Sequence, residues 1–232
     1  MSPQDDAPEE YRQTRYEAPP GATELLLIRH GASRPARPDI PFPLVDGQGD
    51  PDLAPEGREQ AAQVGERLGA EPFDALYVTP LRRTAQTAAP LAKRLGLTPA
   101  VEAGLREVHL GEWEGGLFRK KVAENDPIAQ RMWAEERWDV VPGAEPGEEF
   151  ARRVRESLER MAGAHPGGRV AAFTHGGVIA QALALATGSR PFAFLAPDNG
   201  SISRIVVLEG QLSVRGFNDI AHLDHPAPGA LT

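Results

Sequence analysis

The sequence predicts an α/β fold: a three-layer sandwich with a mostly parallel central sheet flanked by helices, and a small helical insertion over the pocket. Three observations carry this reading. Short runs at residues 24–28, Ala75–Val78 and 170–173 are apolar at nearly every position, the composition of strands covered on both faces. Segments with helical apolar spacing alternate with them, which is the pattern of a mostly parallel sheet. Glycine-rich basic clusters follow the strand ends, where ligands bind in folds of this class.

In chain order, residues 1–20 mix Pro, Asp, Glu, Gln and Arg without periodicity and bury too little apolar surface to offset their ordering entropy, so they read as a flexible arm. The strand at 24–28 comes next. After Ala54, Pro55 and Glu56 open a helix that carries Ala61, Val64 and Leu68 on one side. The strand Ala75–Val78 runs directly into a second helix. Thr79 can cap it and Pro80 suits its first position; Leu81, Ala85, Ala88, Ala92 and Leu95 then recur every three or four residues until Gly96, with a kink expected at Pro90. Residues 147–161 read as an amphipathic helix and 177–186, apolar nearly all round, as a buried one. Residues 203–208 and 211–216 flank Glu209-Gly210, a two-residue hairpin turn. The stretch 221–232 reads as a flexible tail, leaving one domain at 21–220.

Composition narrows the function. A net charge of −8 argues against a general nucleic-acid or anionic-membrane binder, which needs a basic face. With no cysteine, thiolate nucleophiles, thiolate metal sites and disulfides drop out together. Apolar runs fall far short of the ~20 residues of a membrane span. The N-terminus is acidic where a signal peptide is basic and then apolar, so a cytoplasmic location is expected.

Any anion site must therefore be local, and three basic clusters can converge to form one: Arg29-His30-Gly31, Arg82-Arg83, and His175-Gly176-Gly177. Burying charge at a strand end is costly unless a partner arrives, and glycines there allow close backbone approach to an anion at a helix N-terminus.

Five ordered segments, LIRHGAS, LAPEGREQA, TPLRRTAQTA, LREVHLGEWEG and FTHGGVI, resemble the histidine phosphatase superfamily, the phosphoglycerate-mutase-like proteins, over about residues 23–208. The resemblance implies that His30 is the nucleophile that accepts the phosphoryl group and that Arg29, Arg83 and His175 hold its oxygens. It further implies Glu107 as proton donor and the Gly176 backbone N–H as a phosphate ligand. The helix pattern alone does not separate Arg82 from Arg83; the R-x-x-Q-T-A match selects Arg83.

Those residue types suit the chemistry. A neutral imidazole is nucleophilic near pH 7 without a separate base, so neither metal nor cofactor is expected. Guanidinium forks match phosphate oxygens, and phosphoryl transfer asks mainly for positioning and charge stabilisation. Glu107 serves as acid and then base if burial or bound phosphate keeps its carboxyl protonated. His109 and Glu112 are rival proton donors; His109, His165, His222 and His225 otherwise read as structural or surface groups.

Two departures from the family stand out. Ala36 replaces an Asn that helps to bind phosphate, and residues 34–51 are longer and richer in proline than usual. Ala54 also stands where a capping Thr is common. Arg119, Lys120 and Lys121 form a basic run in the expected insertion, read as a solvated face, with a second anionic substrate group as the functional alternative for them or for Arg34.

The segment after WEG and the H-G-G-V sequence fit the phosphatase branch better than a mutase. The expected activity is hydrolysis of a small phosphorylated metabolite. Phosphoglycerate mutase-type transfer and a non-catalytic phospholigand-binding module are the alternatives. A homodimer is compatible with the sequence, which does not set the oligomeric state or the identity of the substrate.

Overall fold

The computed structural model describes residues 11–37 and 39–223. Residues 1–10 of the expected arm, and 224–232 of the expected tail with His225, lie outside them. Residues 11–20 form no strand or helix and are exposed.

A six-stranded sheet runs in the order β5-β4-β6-β1-β7-β8. Its members are β1 (Thr23–Arg29), β4 (Ala75–Val78), β5 (Ala100–Val101), β6 (Arg169–Thr174), β7 (Ile202–Leu208) and β8 (Gln211–Asp219). Three of its five pairings are parallel, and the antiparallel ones join β7 to β1 and to β8. The mostly parallel centre follows from the helical crossovers between strands, and the antiparallel edge from the tight turn at Glu209-Gly210. Both turn residues have positive φ (49° and 75°), the conformation that the two-residue turn requires.

The helices are α1 (Pro55–Leu68), α2 (Arg82–Leu95), α3 (Leu117–Ala123), α4 (Pro127–Glu135), α5 (Gly147–Ala164) and α6 (Gly176–Thr187). They cover both faces of the sheet, which is why β1 is apolar at successive positions. Leu25 and Leu27 point to one side, into a core with Phe150, Val154 and Leu158 of α5 and Ile179 and Leu183 of α6. Leu26 and Ile28 point to the other, into a core with Val64 and Leu68 of α1 and Ala88 and Leu91 of α2. A third, smaller cluster of Trp113, Ala129, Met132 and Val141, with Leu117, Phe118, Trp138 and Phe192 packed on it, is the core of the helical insertion. Among the described residues no helix is long and apolar enough to cross a membrane.

One expectation shifts in detail. Helix α2 starts at Arg82 with Leu81 in the N-cap position and no side-chain cap, because the Thr79 hydroxyl is turned to other partners described below. Within residues 34–51, for which the sequence set no element, β2 (Leu44–Val45) and β3 (Gln48–Gly49) form a short antiparallel hairpin beside the pocket.

Candidate active site

Sheet register assembles the site. Arg29 pairs with Thr174 across β1 and β6, and Val78 with Phe173 across β4 and β6. The residues that follow each strand therefore emerge side by side: His30, His175 and Thr79. The rings of His30 and His175 pack edge to face, 5.2 Å between centroids. Arg83 reaches the same place from the first turn of α2, and α6 begins immediately after His175.

His30 is buried, and its Nδ1 lies 2.7 Å from Gly31 O. A carbonyl oxygen can only accept, so Nδ1 carries the proton and Nε2 keeps its lone pair. The ring's pKa is pushed well below its ordinary value, first by burial and then by the charges of Arg83 and Arg29. The loop that follows is fixed on every side. Gly31 N–H donates to Thr87 Oγ1 (3.0 Å), Ala32 N–H to Gln60 Oε1 (2.8 Å), and Asn199 Nδ2 to His30 O (2.9 Å).

The charges of two guanidiniums act on this ring. Arg83 is 7% exposed; its Nη1 donates to Gly49 O (2.9 Å) and lies 4.0 Å from Asp50 Oδ1. Burial lowers its pKa to about 10, so it stays charged at neutral pH. Arg29 donates from Nη1 to Pro197 O, and its buried Nε has no protein partner. Burial lowers its pKa too, while the charges of Glu107 and Asp198 oppose that shift. Gly176 opens α6 beside Arg29: a Cβ built on it would stand 3.4 Å from Arg29 Nε.

Glu107 Oε1 accepts the N–H of Val108 (3.0 Å), and its Oε2 accepts the N–H of Gly177 in the first turn of α6 (3.2 Å). A Cβ built on Gly177 would come within 2.5 Å of Glu107 Oε1, so the carboxylate's position requires glycine there. The backbone carbonyl of Glu107 accepts from Gln48 Nε2 (2.7 Å) and from Arg153 Nη2 (2.9 Å). Arg153, itself paired with Glu145, also donates to Gly104 O and Arg106 O, which clamps the segment carrying Glu107 onto α5.

Arg29, His30, Arg83 and Glu107 line one cavity of about 460 Å³. Phe42, Trp113, Phe118 and Trp138 supply apolar wall, and Gln48, Glu114, Arg119 and Asn199 supply polar groups. His175 is fully buried against His30, and neither it nor Gly176 is itself part of the cavity lining. Of the rival proton donors, Glu112 is exposed and His109 accepts from Gly111 N–H (3.0 Å); neither lines the cavity. Arg82 pairs with Asp50 (2.7 Å) and stays outside it. His165 meets the Tyr77 hydroxyl and His222 the Gly200 carbonyl, both structural arrangements.

The basic run divides. Arg119 lines the cavity and donates to Ser33 Oγ and Arg34 O, whereas Lys120 and Lys121 pair with Glu124 and Asp126 on the insertion. Arg34 is exposed and lies 4.0 Å from Asp52. Ala36 sits outside the cavity, in an adjoining groove.

Sequence reasoning missed several parts of this site. Glu114 lies seven residues after Glu107 and holds the N–H groups of Gly49 (2.7 Å) and Leu110 (2.8 Å). Asp50, 2% exposed, accepts from Arg82 N–H and Nε and so fixes the start of α2. Among the described residues no group of three or more His, Asp or Glu side chains is arranged to hold a metal ion.

Known proteins resemble this chain in sequence and fold. Residues 25–220 match the family described as the histidine phosphatase superfamily (branch 1). The chain is 32% identical over 206 residues to a metal-independent phosphoserine phosphatase of Arabidopsis thaliana, covering 87% of this chain and 83% of that protein. It is 33% identical over 181 residues to a glucosyl-3-phosphoglycerate phosphatase of Mycobacterium tuberculosis, covering 74% and 78%. The solved structure of a mycobacterial glucosyl-3-phosphoglycerate phosphatase superposes with a TM-score of 0.70 at 26% identity, covering 85% of this chain and 99% of the other.

Proposed function

Because this chain belongs to branch 1 of the histidine phosphatase superfamily and is a phosphoric monoester hydrolase, we propose that it acts through a phosphohistidine at His30, without metal, on small phosphomonoesters. The observation that supports this most is the His30–Gly31 hydrogen bond. With Nδ1–H donated to the carbonyl and the ring neutral, Nε2 is a free nucleophile that needs no base.

In the first half-reaction Nε2 attacks phosphorus, the N–P bond forms, and the P–O bond to the leaving group breaks. Arg29, Arg83, His175 and the Gly176 N–H hold the equatorial oxygens, neutralising charge that otherwise repels the nucleophile. Glu107 gives its proton to the departing oxygen. In the second half-reaction Glu107 takes a proton from water, the water oxygen attacks phosphorus, and the N–P bond breaks to release inorganic phosphate.

The aromatic and apolar wall gives a leaving group a surface to lie on. The relatives' names make phosphoserine and glucosyl-3-phosphoglycerate the first substrates to assay. The purified chain is expected to release phosphate from p-nitrophenyl phosphate in the presence of a chelator. Quenched reactions should carry an acid-labile, base-stable phosphoryl group. His30→Ala should lose both, by about 10⁴-fold or more in kcat. Retention of turnover in that variant, or a requirement for added divalent metal, overturns the reading; an isomerised ester in place of free phosphate makes the enzyme a mutase.

A further inference from the structure

His175 poses a question about protons. Its ring is fully buried, and only one nitrogen has a protein partner: Nε2 lies 3.0 Å from Thr79 Oγ1, while the buried Nδ1 has none. Burial, Arg83 and His30 hold the ring's pKa well below its ordinary value, so it is neutral and carries a single proton. That proton sits on one nitrogen or the other, and the hydrogen bond made by Nε2 decides which.

The hydroxyls around Thr79 narrow the choice. Thr84 Oγ1 has its own hydrogen engaged with Leu81 O at 2.8 Å, and it already accepts the Thr79 N–H at 3.1 Å. Thr79 Oγ1 is approached by the Leu81 N–H at 3.3 Å, so one of its lone pairs is occupied. Its remaining hydrogen has two acceptors within reach: Thr84 Oγ1 at 3.1 Å and His175 Nε2 at 3.0 Å. An anionic oxygen arriving at the unpartnered Nδ1 requires a donor there, which favours the second. With the proton on Nε2, Nδ1 is a bare lone pair buried in a site of positive groups, and an incoming phosphoryl oxygen would meet it acceptor to acceptor. With the proton on Nδ1, the same nitrogen is an unused donor, like the buried Arg29 Nε on the neighbouring strand end.

We infer that Thr79 is a positioning residue: its hydroxyl donates to His175 Nε2, fixes the ring's proton on Nδ1, and so makes that nitrogen a donor to an anionic oxygen. The inference rests on the reading that the cavity receives a phosphoryl group, but the tautomer it specifies is a property of the free protein. It also explains why Thr79, well suited by sequence to cap α2, is turned to the next strand instead. A serine in its place keeps the donor. A valine keeps the shape and removes it.

The test is NMR of protein carrying ¹⁵N-histidine at neutral pH, with His175 identified by the resonances missing in His175→Gln. Wild type and Thr79→Ser should show the Nδ1–H form, and added inorganic phosphate should shift the Nδ1–H resonance. Thr79→Val should move the ring toward Nε2–H, weaken phosphate binding by about 10- to 100-fold and lower kcat/KM correspondingly, with Thr79→Ser recovering both. An Nε2–H ring in wild type overturns the inference, as does Thr79→Val with unchanged tautomer and phosphate affinity. Should Thr79→Val fail to fold, the wild-type tautomer still decides. Should the protein lack phosphatase activity, the tautomer decides the role of Thr79 separately from the reading of the reaction.

Discussion

His30 and His175 are buried side by side in the field of Arg83 and Arg29, and this arrangement links the site to the stability of the fold. Both rings have pKa values pushed well below the ordinary 6.5, chiefly by burial. In the unfolded chain each regains the ordinary value and binds a proton as pH falls through 6.5, while the folded chain still refuses it. The unfolded state then holds more protons, so stability is fully present above pH 6.5 and is lost as pH drops toward the folded pKa. Below pH 6.5 the loss approaches about 1.4 kcal/mol per pH unit for each histidine. Urea unfolding measured between pH 7.5 and 5 is expected to show this slope, reduced by about 1.4 kcal/mol per unit in each of His30→Gln and His175→Gln. An unchanged slope in both variants contradicts neutral, buried rings.

The elements owe their placement to close approaches that side-chain patterns do not report. Helix α1 lies against the turn after His30 so tightly that a Cβ built on Gly57 would collide with Ala32 O, and one built on Gly31 with Gly57 O. These two glycines let α1 carry Gln60 to the Ala32 N–H and so brace the loop that follows His30. Gly57→Ala should therefore cost about 1–3 kcal/mol by overpacking and lower kcat through displacement of that loop, whereas Gly163→Ala, open around its Cβ on α5, should lower neither. Circular dichroism melts with kinetics on the same samples check this; equal behaviour of the two variants refutes it. Long regular elements could be read in advance. The expected α1, α5 and α6 and the strands β1, β4, β6 and β7 stand within a few residues of their periodic patterns. Two-residue strands such as β5 and the β2–β3 hairpin could not, since so short a segment has no period and forms only when a partner strand is present. Helix α4 carried a readable start signal, Asp126-Pro127, which the sequence reading passed over; the Asp126 side chain accepts the Ile128 N–H. The same division holds for the site. The residues in recognisable strings come together at one end of the sheet, whereas Gln48, Asp50, Glu114 and Arg153 act through hydrogen bonds to backbone groups far along the chain, a relation that composition and spacing do not encode.

At the scale of the molecule the overall charge runs against the function: a chain of net charge −8 concentrates Arg29, Arg83 and Arg119 on one cavity. The topology resolves this. Parallel pairing of β1, β4 and β6 brings three strand ends to one edge of the sheet, so few residues suffice to make a local positive field in an otherwise acidic surface. Burial there costs each guanidinium solvation, visible in the lowered pKa of Arg83 and Arg29, and an arriving dianion returns part of it. Folded protein should therefore bind inorganic phosphate where unfolded chain does not, and mass action then raises stability by about 2.7 kcal/mol at a hundredfold excess over Kd. For a chain of this size that corresponds to a rise of about 5–10 °C in Tm. Sodium chloride at equal ionic strength should give much less, because screening acts on the whole surface rather than on one cavity. Arg83→Gln should lose most of the phosphate-specific rise. A rise of the same size with chloride, or one that survives in Arg83→Gln, would mean that the cavity is not where the anion binds.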